Sequence, residues 1–560
     1  RSTRVRSSAV SDVYKRQNIY SEYSRSFADA HHLKGMVGFQ AEVNKWRQLQ
    51  ASKLDLISES VPNINAATGE STIDKSKLTH WATAGFFGRL NYDYKERYLL
   101  EVNLRYDGTS RFAKDKRWNL FPSFSAGWNV AREAFMESTG NIINTLKIRG
   151  SWGELGNQNT ENLYPYIQLM KFVAQDPNSH WLISNSRPNT ANAPDLISAL
   201  LGWETMRSWN IGFDLGMLNN RLTVSFDWFN RKTINMVGPA PELPVTLGAN
   251  VPKMNNADMQ STGFELDLGW RDRIKDFDYG VHLLLSDDRQ KILKYPNTTG
   301  KIATWYVSKY NGDIWGFETI GITKSQEEMD AHLASLPKGG QDALGTNWGA
   351  GDIMYRDLNG DGKISDGATL NDPGDKKVIG NTSPRFRFGL DLNASWKGFD
   401  VRLFFQGVAK RDAWLNDNMF WGATGGIWQS ACFTSHLDFF REEGDDFWSA
   451  NKNAYFPRIL VDNFAKNQKT QTRYLQNAAY IRLKNLQIGY TIPAQITRKI
   501  GISNLRVFFS GENLFTLTGL PEGFDPETIN TGYGAKDGSN SSGKTYPLSH
   551  TFSTGFSVNF

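Results

Sequence analysis

About fifteen stretches of this sequence read as β-strands, and the gaps between them alternate in length. The stretches cover residues 18–27, 31–47, 79–94, 97–106, 118–130, 145–154, 203–216, 221–231, 262–270, 277–288, 385–396, 399–410, 474–492, 505–518 and 550–560. One set of gaps is short or modest: 95–96, 131–144, 218–220, 272–276, 397–398 and 493–504. The other set is mostly long: 48–78, 155–202, 232–261, 289–384, 411–473 and 519–549, with 107–117 as its one short member. Short turns on one side of a sheet and long loops on the other are typical of a transmembrane antiparallel β-barrel with periplasmic turns and extracellular loops.

Apolar and polar side chains alternate within these stretches, as the two faces of a strand require. The clearest case places Phe386, Phe388, Leu390, Leu392, Ala394 and Trp396 on one face and Arg385, Arg387, Asp391, Asn393, Ser395 and Lys397 on the other. The final ten residues, TFSTGFSVNF, alternate in the same way and end on Phe560. No run of about 18 apolar residues is present, which excludes proteins that cross a membrane with helices. These patterns predict an all-β fold.

One predicted strand breaks the alternation. Ile481 and Leu483 share a face, whereas Leu486 and Ile488 continue on the opposite parity. One extra residue near Lys484 and Asn485 restores a common face, so we expect a β-bulge there.

Composition narrows the function classes. Aromatic residues make up 13% of the chain, which suits interfacial girdles or stacking on sugars. A net charge of +5 over 560 residues gives no reason to expect nucleic acid. The single cysteine, Cys432, excludes a disulfide framework within the chain and a multi-cysteine zinc site. A large soluble β-protein shows alternation too, so a secreted glycan-binding protein and a passive porin or adhesin barrel stay open as alternatives.

Five long motifs resemble the SusC/RagA family of TonB-dependent outer-membrane transporters. Two of them are LKIRGSWGELGNQN at 146–159 and AAYIRLKNLQIGYTIP at 478–493, and the others span 91–136, 203–233 and 505–527. The resemblance runs from about residue 31 to Phe560. It implies a 22-stranded barrel in the outer membrane of a Gram-negative bacterium, an amino-terminal plug with a TonB box, and outer-membrane assembly directed by an aromatic final strand, here Phe556, Val558 and Phe560.

The resemblance also implies a mechanism and partners. Family members import glycans, or peptides in some cases, together with a SusD-like surface lipoprotein that caps the barrel. The TonB–ExbB–ExbD complex supplies the energy by acting on the plug. We therefore expect an importer of this kind, with Arg385, Arg387, Asp391 and Asn393 lining the lumen or contacting the plug.

The chain divides into two parts on this interpretation. Residues 1–17 are basic, lack an apolar segment and are expected to be a non-native leader. Residues 18–560 are expected to be the carboxyl-terminal part of the barrel, with large external loops at 155–202, 289–384, 411–473 and 519–549. About seven of the implied strands, the plug and the TonB box would then lie outside this chain. The predicted strand count is odd, so this part alone is not expected to close into a barrel.

The motif DLNGDGKISDG at 357–367 resembles a calcium-binding loop. Asp357, Asn359 and Asp361 occupy the alternating ligand positions, and the carbonyl of Lys363 follows. The closing glutamate is absent, and Asp366 is the candidate substitute. The alternatives are a structural calcium site and a polar turn in an external loop.

The loop 411–473 is rich in tryptophan. Trp414, Trp421, Trp428 and Trp448 lie among carboxylates and amides, a combination that suits sugar rings with their apolar faces and polar rims. The alternative is packing within the loop or against a lipoprotein lid. Signatures of serine hydrolases, zinc proteases and P-loop enzymes are absent from the sequence, so no catalytic residue and no cofactor besides calcium is expected.

Overall fold

A computed structural model describes most of the chain. The described residues are 5–58, 60, 62–160, 162–170, 172–178, 181–183, 185–191, 194, 196–198, 201–240, 251–416, 418–422, 433–444, 446–460, 462–529 and 547–560. None of the helices among them is long and apolar enough to cross a membrane.

One antiparallel sheet of 15 strands dominates the structure, and each strand pairs with its neighbours in the chain. The strands are β1 (Val5–Phe27), β2 (His31–Lys53), β3 (Ser71–Tyr94), β4 (Tyr98–Thr109), β5 (Trp118–Asn129), β6 (Ile143–Asn157), β7 (Glu204–Met217), β8 (Leu222–Gly238), β9 (Met254–Ile274), β10 (Phe277–Lys294), β11 (Arg385–Trp396), β12 (Phe399–Lys410), β13 (Tyr480–Ile492), β14 (Asn504–Thr518) and β15 (Thr551–Asn559). Within the described residues β1 pairs only with β2 and β15 only with β14, so the sheet is an open part of a barrel wall. The predicted fold class and the number of strands are confirmed.

The predicted asymmetry of the connections is present. Tight turns join β3 to β4 and β11 to β12, with left-handed backbone at Lys95, Glu96, Lys397 and Gly398. Two successive residues with positive φ give the turn a twist that matches the twist of the flanking strands. The long connections all leave the opposite end of the sheet, which we call the loop end.

Several strands are longer than predicted at the loop end. β3 begins at Ser71 and β9 at Met254, each eight residues before the predicted start. Tilted strands need only about 9–11 residues to cross the hydrocarbon layer. Beyond that layer neither face has to be apolar, so these extensions carry no alternating pattern. β1 begins at Val5 and includes residues assigned to the leader; the origin of 1–17 stays a prediction.

The sheet has one apolar face and one polar face. On β15, Phe552 and Phe556 lie opposite Gly511 and Val507 of β14, while Ser553 and Ser557 lie on the other side. Phe556 is 74% exposed, as expected of a side chain that meets lipid rather than protein. The same alternation continues across β11, where Leu390 pairs with Phe405 of β12.

The predicted bulge is confirmed on β13. The pairing with β12 passes from Leu483 to Asn485, leaving Lys484 without a cross-strand partner. The pairing with β14 shifts at the same place. The extra residue restores the apolar face, because Leu483 and Leu486 then lie on the same side.

The predicted strand 474–492 is divided in the structure. Leu475–Asn477 forms a separate short strand that pairs with Asp412–Trp414, and β13 begins at Tyr480. The amide of Ala478 donates to the carbonyl of Arg411 at 2.8 Å, where the chain passes from one sheet to the other.

The loop end carries a folded unit of its own, which we call the outer loop assembly and define as the described residues within 295–384, 411–479 and 519–529. Its helices are α1 (Gln326–Ala334) and α2 (Asn418–Trp421), and a third short helix, α3 (Ala494–Thr497), lies at the turn end. Small antiparallel pairs join Asp313–Phe317 to Lys376–Asn381 and Thr319–Ile322 to Ile353–Tyr355, and Phe172–Val173 pairs with Thr190–Ala191 outside the assembly. An apolar cluster drawn from all three segments, including Ile353, Leu415 and Phe524, forms its core.

Candidate functional site: the polar face and the outer loop assembly

Arginine–aspartate pairs join strands along the polar face, and some of them reach across an intervening strand. Arg402 of β12 lies 2.5 Å from Asp391 of β11, and Arg506 of β14 lies 2.5 Å from Asp400 of β12. Arg149 of β6 contacts the carboxylates of both Asp214 and Asp227. Exposed pairs of this kind stabilise a fold by only about 0–1 kcal/mol each. Their significance is that a face with so many charges is excluded from lipid and must adjoin water or protein.

The four residues predicted to line the interior lie in this region. Arg385 forms a two-pronged ion pair with Asp287 of β10. Arg387 pairs with Asp288 at 2.5 Å, and Asp391 pairs with Arg402. Asn393 lies opposite Arg402 in the β11–β12 register. Their contact with a lumen or plug stays a prediction.

The predicted sugar-binding tryptophans occupy different environments. Trp421 is 6% exposed, donates its indole N–H to the carbonyl of Leu415 at 3.1 Å, and meets the ring of Tyr474 edge-on at 4.7 Å. Trp414 packs against Trp421 with ring centroids 6.1 Å apart. These two rings therefore contribute to the packing of the outer loop assembly.

The remaining two tryptophans are separate from that pair. Trp448 is 40% exposed, and the guanidinium of Arg441 lies 5.6 Å from its ring. Trp428 lies outside the described residues. Sugar binding by any of the four stays a prediction.

An ion cluster that no sequence motif predicts joins segments of the outer loop assembly. Asp352 is fully buried and accepts hydrogen bonds from Nε and Nη2 of Arg458 at 2.8 and 2.6 Å. It also accepts from the Asn467 side chain at 2.9 Å and the Gly349 amide at 2.9 Å, and Lys466 Nζ lies 2.8 Å away. The cluster joins segments more than a hundred residues apart in the chain, so no local motif marks it.

Burial also controls the proton equilibria in this unit. Desolvation lowers the pKa of Lys466 below its ordinary value, against the opposing effect of Asp352. Desolvation raises the pKa of Tyr355 and of Tyr474. Both phenols stay protonated, and each donates to a backbone carbonyl, that of Lys466 and that of Tyr455 respectively.

The calcium-like loop folds as a series of polar turns. The carboxylate of Asp357 accepts the amides of Gly360 at 2.7 Å and Gly362 at 2.9 Å. Burial raises the pKa of Asp357, but these backbone hydrogen bonds outweigh it and hold the pKa below its ordinary value. The side chains of Asn359 and Asp361 likewise accept amides two residues onward.

The residue proposed to close the calcium site, Asp366, is in contact with lysines. Asp366 pairs with Lys376 at 2.6 Å and with Lys469 at 3.6 Å, so lysines take the place that a cation would fill. Nowhere in the described part of the chain do three His, Cys, Asp or Glu side chains form a group that could hold a metal ion. These lysine contacts do not favour Asp366 as a calcium ligand; calcium binding by the loop stays a prediction.

A strap formed by 519–529 lies across the polar face near the bulge. Arg482 of β13 pairs with Asp525 at 2.9 Å, and Lys484, the bulge residue, pairs with Glu527 at 3.0 Å. The bulge therefore brings a lysine to the polar face, where it helps to hold the strap. Beneath the strap is a cavity of about 850 Å³ lined by residues of β8 to β13 together with Pro526 and Glu527.

The predicted assembly signal lies on the open edge of the sheet. Phe556 and Val558 point to the apolar face of β15, and Phe560 follows the end of the strand and is 93% exposed. Recognition of these residues by assembly machinery stays a prediction.

Comparisons with known proteins agree with this architecture. Residues 2–514 match the family described as TonB dependent receptor-like, beta-barrel. "TonB-dependent receptor P3" of Formosa agariphila is 28% identical over 97% of this chain and 52% of its own length. "TonB-dependent receptor SusC" of Bacteroides thetaiotaomicron is 27% identical over 85% of this chain and 43% of its own length.

Solved structures show the same fold. The structure of the RagAB peptide transporter matches with a TM-score of 0.76 and 22% identity, covering 100% of this chain and 56% of that chain. The RagAB peptide importer in the closed-closed state matches with a TM-score of 0.77 over 99% of this chain. The chain spans about half the length of the curated relatives that it matches.

Proposed function

The chain belongs to the TonB-dependent receptor-like β-barrel family, and from that premise we propose that it forms the wall and external loops of an importer of glycans or oligopeptides. The receptor is of the SusC/RagA type and lies in the outer membrane of a Gram-negative bacterium. It acts with a SusD-like surface lipoprotein and the TonB–ExbB–ExbD complex, and it carries out no enzymatic step.

The observation that carries this proposal is the difference in polarity between the two faces of one sheet. One face is apolar along the strand pairs from β7 to β15, and the other carries Arg–Asp pairs. All long connections leave the same end, and three of them fold into a unit with its own apolar core. A secreted soluble protein has no use for an exposed apolar face of this extent.

Import proceeds in two steps, binding of the cargo outside the barrel and passage through it. Cargo binds between the outer loop assembly and the lipoprotein, and the loop assembly keeps its shape because the Asp352 cluster joins its segments. Pulling by TonB on the plug then opens a route along the polar face. The residues of this chain contribute rigid walls and polar contacts, while the movement takes place in the plug.

Two classes of cargo, glycans and oligopeptides, are each supported by a different observation. Exposed aromatic side chains at the loop end, such as Trp448 and Phe447, suit sugar rings. Peptide is retained because the solved structures with this fold are titled as a peptide transporter and importer.

The test is uptake by cells that carry or lack the gene. Deletion should abolish growth on the cargo, and complementation should restore it only while the inner-membrane proton gradient is intact. A protonophore that stops uptake supports energised import. Uptake that continues at the same rate after collapse of the gradient would establish a passive porin instead. Recovery of the protein from the soluble fraction without detergent would exclude the outer-membrane assignment.

A further inference from the structure

We propose that the base of the outer loop assembly contains a subsite for an anionic group of the cargo, the carboxylate or sulfate of an acidic glycan. The site is a cavity of about 240 Å³ where β10, β11 and β12 meet the loop assembly. Its lining includes Arg289, Arg385, Arg387, Lys410, Tyr310 and Asn381. This inference rests on the proposed function, because it names the class of cargo that the importer takes.

Two of the four cationic side chains that line this cavity are in ion pairs. Arg385 is neutralised by Asp287 and Arg387 by Asp288. Arg289 and Lys410 have no ion-pair partner within 4.0 Å among the described residues, and both are exposed. Among the lining residues and their ion-pair partners, four positive charges face two negative ones, so an oxyanion would give Arg289 and Lys410 the partner that they lack there.

Arg289 is held in a conformation that leaves its donors available. Its guanidinium carbon lies 3.8 Å from the centre of the Tyr310 ring. Stacking engages the face of the guanidinium, whereas its N–H groups point outward in its plane and match the two oxygens of a carboxylate or sulfate. Tyr310 itself is fixed, because residues 309–311 pair with the end of β10, for example through the Asn311 amide and the Gln290 carbonyl at 2.9 Å.

The neutral polar groups of the wall already have hydrogen-bond partners within the protein. Asn381 donates to the carbonyl of Asn311 and to Asp313, each at 2.9 Å, and Ser383 donates to the Asn311 carbonyl at 2.8 Å. The shape of the cavity is thus set before a ligand arrives, which lowers the entropy cost of binding. Its volume is below the roughly 300–1,000 Å³ of whole-ligand pockets, so it suits one charged substituent or one sugar residue.

A larger cavity continues from this one and has the opposite character. The 850 Å³ cavity shares Pro384 and Arg387 with the basic cavity, but acidic residues line it, including Glu265 and Asp267. An anion placed there would be repelled, so the charged group of the cargo is directed to Arg289 and Lys410 while the neutral part of the chain extends along the larger cavity.

The decisive variant is R289Q/K410Q in the full-length receptor. Glutamine keeps a planar group over Tyr310 and removes the charge. The matched control is K275Q/K397Q, which removes the same charge in two turns at the opposite end of the sheet, where Lys275 and Lys397 lie. Binding is measured with trigalacturonate, its carboxyl-reduced neutral counterpart, a sulfated galacto-oligosaccharide and pentaglutamate.

The wild-type receptor and the control should bind an acidic oligosaccharide about tenfold to a hundredfold more tightly than its neutral counterpart, the range that charge-assisted hydrogen bonds give. The R289Q/K410Q receptor should lose that preference. A preference for trigalacturonate alone assigns a carboxylate, and a preference for the sulfated probe alone assigns a sulfate. Equal binding of acidic and neutral glycans would overturn the inference while leaving import intact, and binding of pentaglutamate alone would overturn the glycan class.

A second readout does not depend on choosing the right sugar. Crystals of the full-length receptor soaked in selenate, an anomalous scatterer that replaces sulfate, should show a peak within hydrogen-bond distance of Arg289 and Lys410. The peak should be absent from R289Q/K410Q. Selenate bound elsewhere in the wild-type receptor, with none at these two residues, would refute the subsite. Loss of uptake on gene deletion tests the proposed function separately.

Discussion

Replacing Asp352 with asparagine should loosen the outer loop assembly without disturbing the barrel wall. The carboxylate is fully buried and serves five N–H donors, two of them on Arg458 and one on the ammonium of Lys466. Asparagine keeps the volume but removes the negative charge, and its own NH₂ group is set against these cations. Removing one partner of a buried ion pair typically costs about 3–5 kcal/mol.

Lys466 makes this cost difficult to avoid. Its side chain is 1% exposed, and its remaining contacts are the carbonyls of Thr346 and Asn347 and the ring of Trp348. These groups solvate an ammonium only in part, so the lysine is left buried with an uncompensated charge. The double variant D352N/K466M should recover part of the loss, because methionine fills the space without a charge.

The assay is hydrogen exchange of the amides of Gly349, Ile353 and Tyr355, which are buried next to the cluster. At about 1.4 kcal/mol per factor of ten, exchange should accelerate about a hundredfold or more, whereas amides of β11 and β12 should keep their protection. The matched control is D462N in the same loop, where Asp462 is exposed and, within the described part of the chain, accepts a hydrogen bond only from the adjacent Asn463 amide. Exchange in D352N within about threefold of wild type would refute the reasoning.

Three further predictions concern the sheet and the strap. Phe556→Arg places a charge on the apolar face of β15 and should lower the stability of the folded barrel by about 2–4 kcal/mol if the residue lies near the middle of the bilayer. Ser553→Arg, on the polar face, should be tolerated. Heat-modifiable migration on gels distinguishes the two variants, and equal tolerance would argue against a lipid-facing β15. Deleting Lys484 should still allow assembly, because this residue is the unpaired extra one and its removal leaves Leu483 and Leu486 on the same face. Its effect should resemble that of Lys484→Ala, which keeps the bulge and loses only the pair with Glu527. Heat-modifiable migration on gels measures folded barrel in both, and its loss in the deletion variant alone would contradict this. Burial raises the pKa of Asp525, but hydrogen bonds from the Glu527 amide, Arg482 and the Leu548 amide outweigh it and hold the pKa below its ordinary value. The carboxylate therefore stabilises the strap above the ordinary pKa of an aspartate, and this contribution is lost as pH falls through the lowered pKa of the folded state. Amide exchange at 521–529 should rise on acidification in wild type and less in Asp525→Asn, and an equal rise in both would contradict the assignment.

Much of the wall was predictable because lipid imposes a simple rule. A strand that crosses hydrocarbon must present an apolar side chain at every second position, and β11 and β12 begin and end at the predicted residues for that reason. The bulge at Lys484 was predictable because the alternation of apolar and polar side chains shifts by one residue there. The extensions of β3 and β9 at the loop end were not predictable, because strands with water on both faces need no alternation of apolar and polar side chains.

The loop assembly was predictable only in location. Asp352 pairs with Arg458 across 106 residues, and neither lies in a motif. The abundance of tryptophan in the loop predicted a sugar-binding surface, yet Trp421 is packed in the core of the outer loop assembly. A large loop unit needs apolar rings for its own folding as well as for a ligand. In the calcium-like loop, the partners of Asp366 are lysines from 376 and 469, which sequence spacing could not reveal.

The most direct test of the account is whether the two faces of the sheet meet lipid and water alternately in the intact outer membrane. Single nitroxide labels at residues 387 to 394 of β11, in a cysteine-free full-length receptor, report collisions with oxygen, which concentrates in lipid, and with a water-soluble nickel chelate. Oxygen collisions should peak at Phe388, Leu390, Leu392 and Ala394, and the nickel chelate should favour the positions between them. Collision rates without a period of two, or with the opposite phase, would contradict a membrane-spanning wall with the polar face inside.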